Sequence, residues 1–170
     1  MRRSLEGAFR EFAEARTGQL YRSACLLTSG DTHLAEDLVQ DTLGRMYVVW
    51  GRPAVRRGNP AAYAQTVLVR AFLGHQRRRS AGERPSDAIP EAAAAGSGDA
   101  SLRVTLLDAL RRLPPKDRAV VVLRYWEDRS IEETADALHV SSAAVRTRST
   151  RALARLREQL GGSIGEFAAH

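Results

Sequence analysis

The sequence predicts an all-α protein: two small helical domains joined by a flexible linker, the C-terminal one a helix-turn-helix. Three observations carry that expectation. Apolar residues recur at helical spacing on both sides of the middle of the chain. A stretch rich in Pro, Gly and acids separates the halves. Residues 130–151 read as two helices around a short break. There is no βαβ alternation, no glycine-rich phosphate loop and no internal repeat.

In the first half, Phe9, Phe12, Ala13, Leu20, Ala24 and Leu27 suit one helix face. After "TSGDT", Leu34, Leu38, Leu43, Met46, Tyr47 and Trp50 continue the spacing. Asn59 is an N-cap candidate with Pro60 at the first helical position. From there Tyr63, Val67, Leu68, Ala71 and Phe72 form a stripe that ends in "RRRS". Residues 80–101 hold few large apolar groups, too few to offset ordering entropy, and read as the linker. In the second half "SLRVTLLDALRRL" reads as helix, and Pro114-Pro115 breaks and restarts it. "RAVVVLRYW" is β-rich locally, but the Pro-Pro start and helical neighbours favour a buried helix. The expected boundaries are 1–79, linker 80–101, 102–160 and a tail 161–170.

The break is the most informative stretch. Ser130 with Glu133 fits a capping box, so a helix starts at Ile131 with its acids where the dipole favours them. Thr134, Ala135 and Leu138 join Ile131 on its inner face. Ser141 or Ser142 caps the next helix, whose inner face holds Val145, Ser149, Ala152, Leu153 and Leu156. Small residues Ser142, Ala143 and Ala144 let its backbone approach a groove, and Arg146, Thr147, Arg148 and Arg151 follow on a basic face. Such a helix reads base edges with its N-terminal part. A solvated basic face on an ordinary helical hairpin is the other reading.

Charge is unevenly spread. The chain carries a net +6, and residues 52–79 contain seven Arg and no acid. A basic balance favours a polyanionic partner without choosing between nucleic acid and membrane. Nearly all positive charge is arginine, as suits phosphate recognition, although a GC-rich genome produces the same bias. Cys25 is the only cysteine and sits in an apolar run, so no intrachain disulfide forms. His33, His75, His139 and His170 are scattered without ligand spacing, so no metal site and no cofactor are expected. The first residues lack a secretory core, and no run approaches the roughly 18 apolar residues of a membrane span. A cytoplasmic protein with no membrane contact, monomeric when free, is expected.

"ALRRLPPKDRAVVVLRYWEDRSIEETADALHVSSAAVRTRSTRALARL" closely resembles the fourth conserved region of bacterial sigma factors of the extracytoplasmic-function group. "AEDLVQDTLGRMY" and "NPAAYAQTVLVRAFLGHQRRR" resemble their second region. "LLTSGD…AEDLVQ" and "RLPPKDRAVVVLRYWED" look like an actinobacterial subgroup. The resemblance spans most of residues 9–160, in order.

It implies an alternative sigma factor, not an enzyme, that binds core RNA polymerase and directs promoter-specific initiation. Its promoter DNA is met both as duplex and as melted single strand, and an anti-sigma protein is a further candidate partner. It also implies that Glu36, Asp37, Gln40, Asp41 and Thr42 bind the polymerase clamp. Arg52, Arg56, Arg57, Asn59, Tyr63 and Arg70 then serve the minus-ten element, with Arg77, Arg78 and Arg79 on phosphates. Tyr63 suits either base stacking or the core. Ser142, Ala143, Ala144, Arg146, Thr147 and Arg151 match positions facing the minus-thirty-five major groove, with Arg148 on phosphate or solvent. The acidic linker resembles the segment that threads toward the polymerase active centre. Three departures stand out: Arg70 replaces a common Asn, His139 stands where the turn usually has Gly, and "GRPAVRRGNP" looks lengthened and extra-basic. A stand-alone helix-turn-helix regulator is the alternative, but those usually carry an αβ receiver domain, and no strand alternation precedes the motif here.

Overall fold

The computed structural model describes residues 4–82 and 98–161, and within them every regular element is a helix. Apart from residues 80–82, 98–101 and 161, the expected acidic linker and tail lie outside the described residues. Helix α1 (Leu5–Leu27) opens on Ser4, whose hydroxyl accepts the Gly7 N–H. Asp31 does the same for Leu34 at the start of α2 (Thr32–Val49). A short α3 (Pro53–Arg56) lies inside the Gly- and Pro-rich loop. Asn59 accepts the Ala62 N–H at the start of α4 (Pro60–Gly82), as its sequence position predicts. Helix α4 runs three residues beyond the expected boundary at Arg79, and α5 (Gly98–Arg111) begins inside the expected linker.

Pro115 starts α6 (Pro115–Val121), which passes into a π-turn over Val122–Trp126. The wider turn ends with Tyr125 and Trp126 in solvent. Helix α7 (Ile131–Leu138) carries the reciprocal capping box between Ser130 and Glu133. The backbone N–H of Ser130 on the Glu133 carboxylate lowers that acid's pKa. Helix α8 (Ser142–Leu160) is capped by Ser141, whose hydroxyl accepts the Ala144 N–H. His139 ends α7 in the left-handed region at φ 55°, with its N–H on the last turn of the helix. A glycine is the residue that adopts this conformation without steric penalty.

The buried faces follow the predicted stripes with two rotations. Tyr47, expected on the inner stripe of α2, is 57% exposed, and Thr42 replaces it inside. Tyr63 of α4 also faces outward, while Ala64, Gln65 and Val69 turn in. Phe9, Phe12, Tyr47 and Trp50 form a ring cluster joining α1 to α2.

The two halves share a core, which the expectation of two tethered domains did not include. Ala119, Val122, Leu123 and Ala137 from the second half join Leu20, Leu27, Leu68 and Phe72 from the first. Smaller clusters lie within the second half. Ala109, Leu110, Leu113, Ala152, Leu156 and Leu160 join α5 to α8. Val120, Ala135 and Val145 pin the helix-turn-helix.

Arg118 is buried at the junction of these clusters. Its Nε donates to Leu110 O (2.9 Å) and its Nη2 to Arg111 O and Leu113 O (3.2 and 3.1 Å). Its Nη1 donates to Leu27 O of the first half (2.6 Å), and its guanidinium lies 5.7 Å from the Phe72 ring centre. It therefore satisfies carbonyls that the ends of α5 and α1 leave without intrahelical partners. Burial lowers its pKa to about 10, which still leaves it protonated at neutral pH.

Arg118→Met strands several buried carbonyls at once and is expected to lower unfolding stability by about 3–5 kcal/mol in urea denaturation, read by circular dichroism. His139→Gly acts oppositely. Relief of the left-handed strain exceeds the added unfolded-state entropy, so the same measurement is expected to show a gain of about 0.5–1 kcal/mol.

Candidate nucleic-acid and polymerase interface

Three surfaces carry the residues singled out from the sequence. On α2, Glu36, Asp37, Gln40 and Asp41 are exposed. The spacing of Asp37, Gln40 and Asp41 puts them on one face. Asp41 also holds Arg45 at 3.1 Å, a surface pair that solvent weakens. Thr42 does not belong with them. It is 0% exposed and donates its hydroxyl to Leu38 O at 2.7 Å, so its side chain packs inside α2 rather than facing a partner.

The second surface is the loop 52–59 with α4. Arg52, Arg57, Asn59, Tyr63, Arg77 and Arg78 are exposed. Arg56 is half-buried and donates to Trp50 O at 3.3 Å, tying the loop back to the end of α2. Arg70 is engaged across the molecule. Its Nε donates to Ala137 O (2.8 Å) and its Nη2 to Asp136 O (3.2 Å), at the C-terminal turn of α7. Nearby, Arg129 donates to Ala62 O, and the carboxylate of Glu127 accepts from Ser23 and Gln19. The structure thus brings the α4 face against the helix-turn-helix and engages Arg70 within that contact.

The third surface is the start of α8. Ala143, Arg146 and Thr147 are exposed, and Ser142 and Ala144 are half-buried beside them. Among the described residues Arg146 has no ion-pair partner, whereas Arg148 and Arg151 share one. Both reach back to Asp117 of α6, whose side chain is 0% exposed. Arg148 Nη1 meets Asp117 Oδ1 at 3.1 Å. Arg151 grips the same carboxylate twice, Nη2 to Oδ1 at 2.9 Å and Nε to Oδ2 at 3.1 Å. The hydrogen bond to Asp117 raises the Arg151 pKa. Arg148, expected on phosphate or solvent, rests on this carboxylate with its side chain 26% exposed.

Sequence reading missed Asp117, Arg118, Glu127 and Arg129. Each acts through a partner far along the chain, and the only local signal is charge inside or beside a strongly apolar run. The described residues hold no cluster of His, Cys, Asp and Glu that suits a metal. No described helix is long and apolar enough to cross a membrane.

Residues 13–82 match the family described as sigma-70 region 2, and residues 103–156 the one described as sigma-70, region 4. The RNA polymerase sigma-E factor of Streptomyces avermitilis is 40% identical over 153 residues, covering 89% of this chain and 84% of that protein. The extracytoplasmic-function sigma factor SigL of Mycobacterium tuberculosis is 32% identical over 153 residues, covering 84% of each. Among solved structures, the sigma factor RpoE bound to the anti-sigma factor NepR, from Bartonella quintana, aligns with a TM-score of 0.70. That alignment has 28% identity over 91% of this chain and 97% of the other. With both regions present in order, and relatives aligned along most of its length, the chain belongs to the sigma-70 family, as an alternative RNA polymerase sigma factor of the extracytoplasmic-function group.

Proposed function

We propose that this chain docks on core RNA polymerase through the acidic face of α2, Asp37, Gln40 and Asp41 with Glu36 beside them. The loop 52–59 and α4 then hold the melted minus-ten element, and the start of α8 reads the minus-thirty-five duplex. The order of the two sigma regions in one chain is the observation that carries this reading. The chain supplies promoter choice and charge complementarity, and the polymerase carries out the bond-making, so we infer no enzymatic role and a cytoplasmic site of action. An acidic-polar helix face suits a basic docking surface. Exposed Tyr63, with arginines on either side in sequence, suits an unstacked base beside phosphates, which offsets an unpairing cost of a few kcal/mol.

Both DNA elements cannot be held at once in the packed arrangement. Their centres lie twenty-five positions apart, on the order of 85 Å at about 3.4 Å per base pair. A compact chain of this length has a radius of gyration of about 15 Å. Promoter engagement therefore separates the halves and releases Arg70 from the carbonyls of α7.

Mixing the purified protein with core polymerase and a genomic promoter library, then sequencing the transcripts, tests the main reading. Initiation at one bipartite motif is expected. Tight sequence-specific duplex binding without core binding would overturn it and favour a stand-alone regulator. Asp37→Arg together with Asp41→Arg is expected to weaken core binding at least tenfold in a competition assay, with helicity unchanged.

Arg70→Ala removes two bonds between the halves and is expected to shift the packed population toward the separated one roughly tenfold, about 1.4 kcal/mol. Small-angle scattering of the free protein reads this as a larger radius of gyration. An unchanged radius would mean that the shared apolar core and the remaining ties through Arg118, Arg129 and Glu127 hold the halves together without Arg70.

A further inference from the structure

We infer that Asp117 is a positioning residue for promoter reading: it fixes the guanidinium of Arg151, and with it Arg148, so that one edge of Arg151 is aimed outward at the minus-thirty-five duplex. The inference rests on the proposed role of α8 and adds a residue from another helix to it. Asp117 lies 31 and 34 positions before the two arginines it holds, and is fully buried. Its two oxygens take the Nε and Nη2 side of Arg151. A guanidinium has two usable edges, since it carries five N–H donors in one plane. With the inner edge on Asp117, the outer edge stays available, and the Arg151 side chain is 47% exposed. Arg148 sits deeper, 26% exposed, and shares Oδ1.

Two consequences separate this from a merely structural ion pair. An arginine held in place before binding loses less rotamer freedom on meeting a base, so a bidentate contact there discriminates more sharply. The single negative charge also offsets part of the field of two arginines, which limits sequence-independent attraction to phosphate. Asp117 therefore raises the ratio of specific to non-specific binding from both sides. Arg146 and Thr147, which lean on no carboxylate, complete the same surface.

The test compares the wild type with Asp117→Asn, which keeps the shape and removes the charge. Both are assayed with core polymerase on the promoter found by transcript sequencing, and on variants changed one base at a time in the minus-thirty-five element. Asp117→Asn is expected to lose discrimination about tenfold at one or two adjacent minus-thirty-five positions. Minus-ten preference and core affinity are expected to stay the same. Binding to a non-specific duplex is expected to tighten, with a salt slope steeper by about one. Full discrimination in a folded Asp117→Asn protein would sink the proposal.

Should Asp117→Asn fail to fold, Arg151→Lys decides the matter, because it keeps the charge at a half-exposed position and removes the second edge. Loss of the base preference supports the inference, and wild-type preference overturns it. Failure of the wild type itself to initiate at any motif counts against the role of α8, not against the Asp117 arrangement.

Discussion

The guanidinium of Arg118 is where the molecule's separate pieces meet. It takes three carbonyls at the end of α5 and one at the end of α1, and it lies against Phe72 of α4. Helices that stop in the interior leave their last carbonyls short of intrahelical partners, and those that are buried need another donor. One side chain with five donors in a plane can serve several such ends at once, which a lysine cannot. The position of α6 follows from this, because Arg118 projects from it. With α6 fixed, Asp117 on the adjacent residue is fixed too, and so is the pair of arginines on α8. The recognition helix is thus located by a chain of contacts that begins at two helix ends.

The sharing of arginines between internal and external tasks has a consequence for how the net charge is understood. Arg70, Arg118 and Arg129 donate to backbone carbonyls, and Arg148 and Arg151 grip a buried carboxylate. All five are engaged within the packed form, although Arg70 and Arg151 remain exposed on one side. The cations left on the surface are fewer, among them Arg52, Arg57, Arg77, Arg78 and Arg146. Total charge therefore overstates the electrostatic footprint on DNA. Segment counts do better, since the all-basic run 52–79 keeps several arginines outside.

Much of the fold was legible because its signals are local. Caps depend on residues three apart: those at Asn59 and Ser130 form as their spacing predicts, and of Ser141 and Ser142, both candidates, Ser141 caps. The strain at His139 was legible for the same reason, once a left-handed turn residue was expected there. Helix existence in "RAVVVLRYW" also followed from its surroundings, although the π-turn did not, because a single widened turn leaves the apolar pattern nearly unchanged. The inward rotation that buries Thr42 and exposes Tyr47 lay beyond periodicity. Threonine satisfies its hydroxyl on Leu38 O and so enters the core at little penalty, while Tyr47 meets Phe9 edge-on at the rim. Ser23 is buried for a reason over a hundred residues away, the carboxylate of Glu127. No reading of a window could have found it.

The character of the contact between the halves suits a protein that has to come apart. Four of its polar ties join a side chain of one half to a carbonyl of the other, through Arg70 (twice), Arg118 and Arg129. Such donors and acceptors are rehydrated on separation, so each tie contributes only its net worth of about 1 kcal/mol rather than its strength in an apolar medium. Arg118 retains three of its four carbonyls within its own half, so the second half stays internally satisfied when Leu27 O is lost. From the second half the apolar part is made by Ala119, Val122, Leu123 and Ala137, with Leu138 partly buried against them, rather than by aromatic anchors. Buried area scales with side-chain size, so this choice keeps the hydrophobic contribution modest. Larger side chains at Ala119 or Ala137 would have no room in the packed form. Large residues accommodated there would make the halves harder to part. Modest apolar contacts with rehydratable polar ties therefore meet both requirements, a packed free form and a separable one.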